Sequence, residues 1–265
     1  MAAPNARPDP QAARRRATLL AATEPARTLL SAGALAAGFP LLRLAPRGEP
    51  HPVLVLPGLM ASDLSTRLLR GWIGRLGYPV VGWALGRNRG PTKEVTSELP
   101  ALVARLADEH GAPVSIVGWS LGGIFARRLA LKAPSSVRQV ISLGSPFSMA
   151  GRPITDGRPG SRVYQRLAPL HSRTTISSGS LARPLPVPST SVYSKWDGVV
   201  DWQACRQRPG PISENVAVRS SHLGMGHDPA VLWIVADRLA QPRADWKPFR
   251  RPTGFGLGTL FPAED

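Results

Sequence analysis

The chain has 265 residues, of which 43% are hydrophobic, a formal net charge of +16 and a single cysteine, Cys205. This length accommodates one core of ordinary size, and one cysteine excludes an internal disulfide framework. Arginine supplies nearly all of the positive charge, and it is spread along the chain without a zinc-finger, RNA-binding or helix-turn-helix signature, so we expect no nucleic-acid partner. A basic surface is compatible with peripheral association with an anionic membrane surface.

The first 49 residues differ in composition from the rest. Residues 1 to about 15 are rich in Ala, Pro and Arg and predict disorder, and a leading helix is expected from about 16 to 37. The uncharged stretch from Thr28 to Leu42 is shorter than the about 20 residues that span a bilayer. It resembles the apolar part of an export signal, but Glu24 lies within the leader and no clean cleavage site follows. We expect a cytoplasmic protein, with export through a non-standard signal as the alternative.

Short apolar runs then alternate with helical periodicity from residue 50 to 241. Strands are predicted at 53–56, 79–81, 114–117, 137–143, 191–193 and 216–218, and helices over 63–76, around 99–106, after Gly122 and over 229–239. This alternation indicates an α/β fold with a mostly parallel central sheet and helices on both faces. Residues 148–188 break the pattern and predict a lid-like insertion, and 242–265 form a C-terminal tail.

The pentapeptide Gly118-Trp119-Ser120-Leu121-Gly122 stands where a strand pattern gives way to a helix pattern. A sharp turn of this kind exposes the serine above the sheet, so Ser120 is the predicted nucleophile. The glycines are needed because the flanking positions lie too close to neighbouring segments to carry side chains. A phosphate-binding loop is the alternative for such a turn, but it requires Lys followed by Ser or Thr after its last glycine, and Ile124 follows Gly123.

A serine nucleophile requires a base and an orienting acid. In α/β folds with such a strand-to-helix serine, the acid follows the serine along the chain and the histidine follows the acid. Asp197 comes directly after a predicted strand and is the preferred acid, with Asp201 as the alternative. His222 lies in the loop after the next strand and is preferred as the base over His227, which stands at the start of the last helix. The remaining histidines, His51, His110 and His171, are interpreted as surface residues.

Two backbone N–H groups are required for an oxyanion hole. Leu121, directly after the nucleophile, is predicted to supply one, and Leu59, in the turn after the first core strand, the other. Met60, Trp119 and Phe147 are predicted to line an apolar acyl pocket, to which Trp83 is a further candidate unless it belongs to the core. No metal and no cofactor are required by this chemistry.

Together these motifs resemble the α/β-hydrolase superfamily, on the side of the bacterial serine esterases and lipases. The segments that carry the resemblance are Val-Leu-Val-Leu-Pro-Gly-Leu (53–59), Gly-Trp-Ser-Leu-Gly-Gly (118–123), Leu-Gly-Ser-Pro-Phe (143–147), Trp-Asp-Gly-Val-Val (196–200) and Ser-His-Leu-Gly-Met (221–225). The chain departs from many relatives at the oxyanion loop, where Pro57-Gly58 replaces His-Gly, although a backbone donor does not depend on that side chain.

The sequence therefore predicts a serine hydrolase that cleaves short- or medium-chain or lipid-like carboxylic esters through an acyl-enzyme. Its partner is a small-molecule or lipid-like ester substrate. An acyltransferase or perhydrolase using the same triad is the first alternative, because fold does not separate these activities. A non-catalytic binding protein on a hydrolase scaffold is the second.

Overall fold

The computed structural model describes residues 10–149, 159–172, 181–253 and 261. Within these ranges lie six helices and six strands: α1 (Pro10–Leu42), β1 (Val53–Leu56), α2 (Arg67–Arg75), β2 (Val80–Gly82), α3 (Lys93–His110), β3 (Val114–Trp119), α4 (Leu121–Lys132), β4 (Val137–Leu143), α5 (Pro159–Leu167), β5 (Ser189–Ser194), β6 (Ser213–Val218) and α6 (Pro229–Leu239).

The six strands form one sheet in the order β2-β1-β3-β4-β5-β6, and every pair is parallel. β1 and β3 are buried along their whole length, which explains their continuous apolar sequences. The chain runs from β1 outward to β2 and then returns to place β3 on the other side of β1. Parallel sheets bind ligands beyond the carboxyl ends of their strands at such a reversal.

Helices cover both faces of the sheet, as predicted. One hydrophobic cluster joins α2, α6 and the end of α1 to alternate strand residues such as Val55, Val117 and Ile141. A second joins α3 and α4 to the residues on the opposite face, such as Leu54 and Ile116. The side chains of successive strand residues therefore point alternately into two cores.

The structure corrects two of the predicted segments. Helix α1 begins at Pro10, so the disorder expected for residues 1 to about 15 is wrong for its last part; residues 1–9 lie outside the described residues. Helix α2 begins at Arg67 rather than at Asp63, because the Asp63 carboxylate accepts hydrogen bonds from the backbone N–H groups of Trp83 and Ala84, both at 3.0 Å. That contact holds residues 63–66 as a turn.

The predicted insertion is described in part. Its described residues include α5 and a short 3-10 helix (Ala168–Leu170), while 150–158 and 173–180 lie outside the described residues. Helix α5 borders the cavity described below; the function of the insertion as a lid remains a prediction. In the tail, Phe249 packs against the core and contacts Phe261 at a ring distance of 5.4 Å.

Candidate active site

Ser120 lies in the turn between β3 and α4 with φ 53° and ψ −119°. Non-glycine residues rarely adopt positive φ, and such strain persists only where the surrounding structure enforces it. A Cβ atom at Gly118 would lie 2.4 Å from the Cα of Gly123, and one at Gly122 would lie 2.3 Å from the carbonyl oxygen of Leu56. The two glycines are therefore required by the close approach of β1 and α4 to the turn.

His222 and Asp197 form a buried pair. The Asp197 Oδ2 atom lies 2.7 Å from His222 Nδ1, and Asp197 Oδ1 accepts the backbone N–H groups of Val199 and Val200 at 2.8 Å each. Both side chains are almost fully buried. The carboxylate thus accepts three N–H groups, and the hydrogen bond to His222 fixes a proton on Nδ1 while leaving Nε2 as the free acceptor.

Neighbouring negative charges affect the protonation of His222, the candidate base. Burial alone lowers the pKa of His222, but the negative charge of Asp197, its hydrogen bond and the charge of Glu24 together raise that pKa above its ordinary value. An imidazolium that forms during a reaction is therefore stabilised at this position.

Ser120 and His222 line the same cavity, which has a volume of about 340 Å³. Met60 and Trp119 also line it, and the indole N–H of Trp119 donates to the His222 carbonyl at 3.1 Å. The other lining residues are mainly apolar and include Leu59, Leu121, Ile124, Pro146, Met149, Val163, Val199, Val200 and Leu223. The cavity is small for a binding site, a class that spans roughly 300–1,000 Å³.

The prediction that Phe147 lines the pocket is contradicted by the structure. Phe147 is fully buried in the second core cluster and lies beneath Arg127, whose guanidinium carbon is 4.2 Å from the ring centroid. Trp83 is likewise a core residue, and its indole N–H donates to the carbonyl of Gly86 at 3.0 Å. Both aromatic residues stabilise the fold instead of contacting the cavity.

The predicted oxyanion donors face the same cavity. Leu121 is the first residue of α4, where backbone N–H groups have no intrahelical acceptor, and Leu59 lies in the loop after β1. Neither N–H has a backbone acceptor within the described parts of the chain. The neighbouring N–H of Met60, in contrast, donates to the carbonyl of Asn88 at 2.7 Å.

The other candidate acid and bases have structural roles. Asp201 accepts from the Gln203 N–H at 3.0 Å and caps the short 3-10 helix Trp202–Cys205. His227 contacts the carbonyl of Thr28, and Asp228 caps α6. His110 ends α3 and is exposed.

The interpretation of His51 as a surface residue is wrong. His51 is buried, and its Nε2 lies 2.8 Å from the hydroxyl of Ser115. Burial lowers the pKa of His51 to about 4. The pair lies at the amino ends of β1 and β3, whereas the cavity lies beyond the carboxyl ends of the strands. His51 and Ser115 are therefore no part of this site. His171 is only partly buried and contacts the Arg89 carbonyl.

Comparisons with known proteins bear on the fold and on the reaction class. Residues 86–206 match the esterase family model, a range that includes Ser120 and Asp197. Lipase B from Aspergillus fumigatus superposes with a TM-score of 0.57 at 18% identity, over 76% of this chain and 57% of the lipase. Est1E from Butyrivibrio proteoclasticus superposes with a TM-score of 0.50 at 14% identity, over 72% of this chain and 87% of Est1E. A sequence search of curated proteins finds no match.

The chain has the α/β-hydrolase fold. The esterase match supports the predicted reaction class, carboxylic-ester hydrolysis. Among the described residues, no cluster of three or more metal-ligating side chains occurs, and no described helix is long and apolar enough to cross a membrane.

Two residues that support the candidate site were missed from the sequence. Asn88 is fully buried and anchors the oxyanion loop, because its side-chain N–H donates to the Pro57 carbonyl at 2.8 Å. Gly144 follows β4 with φ 53°, and a Cβ atom there would lie 3.1 Å from His222 Nδ1 and 3.3 Å from Asp197 Oδ2. Gly144 could have been found from the Gly-Ser-Pro segment that directly follows a predicted strand. The loop around Asn88 contains no comparable sequence pattern.

Proposed function

We propose that the chain hydrolyses short- to medium-chain carboxylic esters through an acyl-enzyme on Ser120. The observation that carries the proposal is the buried Asp197–His222 pair at 2.7 Å, which lines one cavity with a serine held at φ 53°. A strained serine beside a histidine with a free Nε2 is the arrangement that activates a hydroxyl group for attack on a carbonyl.

The steps follow from the roles of these atoms. His222 Nε2 takes the Ser120 proton as the hydroxyl oxygen attacks the carbonyl carbon, and the oxyanion accepts N–H groups from Leu59 and Leu121. The imidazolium then gives its proton to the leaving alcohol, and a water molecule, activated by His222, releases the acid. Each oxyanion donor contributes about 3 kcal/mol to transition-state stabilisation.

The cavity supports the choice of acyl chain. Its volume of about 340 Å³ and its apolar walls suit an acyl group of short or medium length. A long lipid chain would have to extend beyond the cavity. We expect the value of kcat/KM for nitrophenyl esters to rise with acyl length, because more apolar surface is buried, and then to fall once the cavity is filled.

Covalent labelling of the serine tests the proposal. A fluorophosphonate probe should label the wild-type protein and fail to label Ser120→Ala, which should also lose ester hydrolysis. Ser65→Ala removes a second, exposed serine on the wall of the same cavity and should keep both properties. Labelling that survives in Ser120→Ala would refute the assignment. Adding an alcohol or peroxide acceptor and analysing the products separates hydrolysis from acyl transfer and perhydrolysis.

A further inference from the structure

A stripe of three residues on α4 runs along the cavity away from the nucleophile. Leu121, Ile124 and Arg128 all line the cavity, and their spacing of three and four places them on one face of the helix. Arg128 lies eight residues after Ser120, which is about 12 Å along a helix axis. Side chains on a helix lean toward its N-terminus, so the Arg128 side chain leans back toward Ser120.

Arg128 is a cation with no counterion among the described residues. Within the described residues, its buried Nε atom has no hydrogen-bond partner and no carboxylate pairs with its guanidinium. The adjacent Arg127 differs, because it donates to the carbonyls of Leu181 and Arg183 and to Gln207. Burial lowers the pKa of Arg128, and the charge interaction with Tyr164 offsets part of this shift.

Arg128 is the arginine among the described lining residues, and the other polar side chains beyond Ser120 and His222 include those of Ser65, Ser161 and Tyr164. Asp201 is the acidic residue among the described lining residues, and its Oδ1 accepts the Gln203 N–H. A guanidinium in a mostly apolar cavity binds carboxylate or phosphate strongly, because such charge-assisted hydrogen bonds form where water is scarce.

We propose that the substrates are esters carrying an anionic group, carboxylate or phosphate, and that Arg128 binds that group. This inference rests on the proposed ester hydrolysis at Ser120 and narrows its substrate class. The anion lies at the far end of the acyl chain or on the alcohol, and both arrangements place one negative charge at the same guanidinium.

Substrate pairs that differ in one anionic group test the proposal. The wild type should show a higher kcat/KM for 4-nitrophenyl hydrogen glutarate than for 4-nitrophenyl pentanoate if the acyl chain carries the anion. It should prefer phosphoethyl butanoate over ethyl butanoate if the alcohol does. Arg128→Gln should lower the ratio of kcat/KM for the anionic ester to kcat/KM for its neutral partner about tenfold to a hundredfold.

Arg105→Gln is the matched control, because it removes the same charge from the exposed face of α3 and should leave both ratios unchanged. Equal ratios in Arg128→Gln and the wild type, or a wild-type preference for both neutral esters, would overturn the anion site. Loss of all Ser120-dependent hydrolysis of the neutral esters would instead overturn the proposed function, so the two failures are distinguishable.

An independent observation concerns Glu24 on α1. Glu24 is buried, and its Oε1 accepts the Leu223 N–H at 2.8 Å while its Oε2 accepts the Gly198 N–H at 3.2 Å. Leu223 directly follows the base His222, and Gly198 directly follows the acid Asp197. One carboxylate therefore joins the two loops that carry the Asp–His pair.

Further contacts hold α1 in this position. The Thr28 hydroxyl lies 3.1 Å from that of Ser221, and Arg27 donates to Glu24 Oε2 at 2.8 Å and to the Trp196 carbonyl. A Cβ atom at Gly198 would lie 2.4 Å from the Leu20 carbonyl oxygen, so the helix backbone touches the acid loop directly. The described charged groups around His222 are thus Asp197 and Glu24, the latter paired with Arg27.

The geometry points to Glu24 as a positioning residue for the triad. Glu24→Gln offers one carboxamide oxygen in place of two carboxylate oxygens, so one of the two loops loses its acceptor. We expect kcat to fall about tenfold, as for one lost charged hydrogen bond, with KM little changed. The acid limb of kcat/KM against pH should move to lower pH, because the charge of Glu24 raises the pKa of His222.

Glu94→Gln, on α3, is the control of equal charge change and should alter neither quantity. Glu24→Asp keeps the charge and shortens the side chain. The pH midpoint of its acid limb should therefore lie closer to the wild-type value than that of Glu24→Gln, while kcat should still be lower than in the wild type. A folded Glu24→Gln variant, verified by thermal unfolding, with wild-type kcat and an unmoved pH midpoint would overturn the positioning role.

Discussion

Replacing Asp197 by asparagine tests the orientation of the base most directly. The Oδ1 atom of Asp197 accepts two backbone N–H groups at 2.8 Å, so the single carbonyl oxygen of an asparagine must take that place. Its NH₂ group then faces His222 Nδ1, which is forced to accept. The imidazole proton consequently moves to Nε2, and that nitrogen is no longer able to take the proton of Ser120.

The expected loss in kcat is about 10⁴-fold, the size found when the triad aspartate of a serine protease becomes asparagine. It corresponds to about 5 kcal/mol of lost transition-state stabilisation. Steady-state hydrolysis of a nitrophenyl ester measures the loss, and thermal unfolding checks that the fold is intact. Because asparagine keeps the volume and the accepted N–H bonds, the unfolding temperature should change little.

Asp201→Asn is the matched control in the same loop. Asparagine caps helices as well as aspartate does, so the short 3-10 helix keeps its cap and kcat should stay within about threefold of the wild type. If Asp201→Asn abolished activity and Asp197→Asn retained it, the reasoning from the 2.7 Å pair would be refuted and the acid would be Asp201.

Three further changes probe the surroundings of the site. Asn88→Ala removes the hydrogen bond to Pro57 that anchors the oxyanion loop, and should lower kcat about tenfold with little change in KM; an unchanged kcat would contradict that anchoring. Gly144→Ala places a methyl group against the Asp–His pair at φ 53° and should lower both kcat and the unfolding temperature. The free energy of unfolding should decrease as pH falls from 6.5 toward 4, by about 2 kcal/mol at pH 5, because the folded pKa of His51 is about 4; in His51→Gln this decrease should be smaller, as denaturant titrations would show.

Much of the arrangement followed from the sequence because the chemistry of one residue constrains others. Once Ser120 stands in a strand-to-helix turn, the acid and base are expected after later strands, and the structure pairs Asp197 with His222. The bounds of β4 and α6 agreed with the prediction because an apolar run and an Asp-Pro cap mark them locally.

The residues that were misjudged depend on contacts distant in sequence. His51 is buried by packing around β1 and β3, and nothing in its local sequence indicates this. Phe147 is adjacent to the site in sequence but turns into the core beneath Arg127. Glu24 was read as an argument against an export signal, whereas its carboxylate contacts loops about 170 to 200 residues away. Helical and strand periodicities indicate local geometry and contain no information on contacts between residues distant in sequence.

His222, the proposed base, lies in the loop that follows β6, and β6 is the outermost strand of the sheet, paired with β5 alone. Edge strands open locally at a lower free energy than central strands, because they have hydrogen bonds to one neighbouring strand instead of two. A sub-global opening of β6 would withdraw His222 while β1, β3 and β4 kept Ser120 in place. Denaturant should therefore abolish turnover at a lower concentration than the one that unfolds the sheet. Loss of catalytic activity would then report the local opening of β6 before global unfolding.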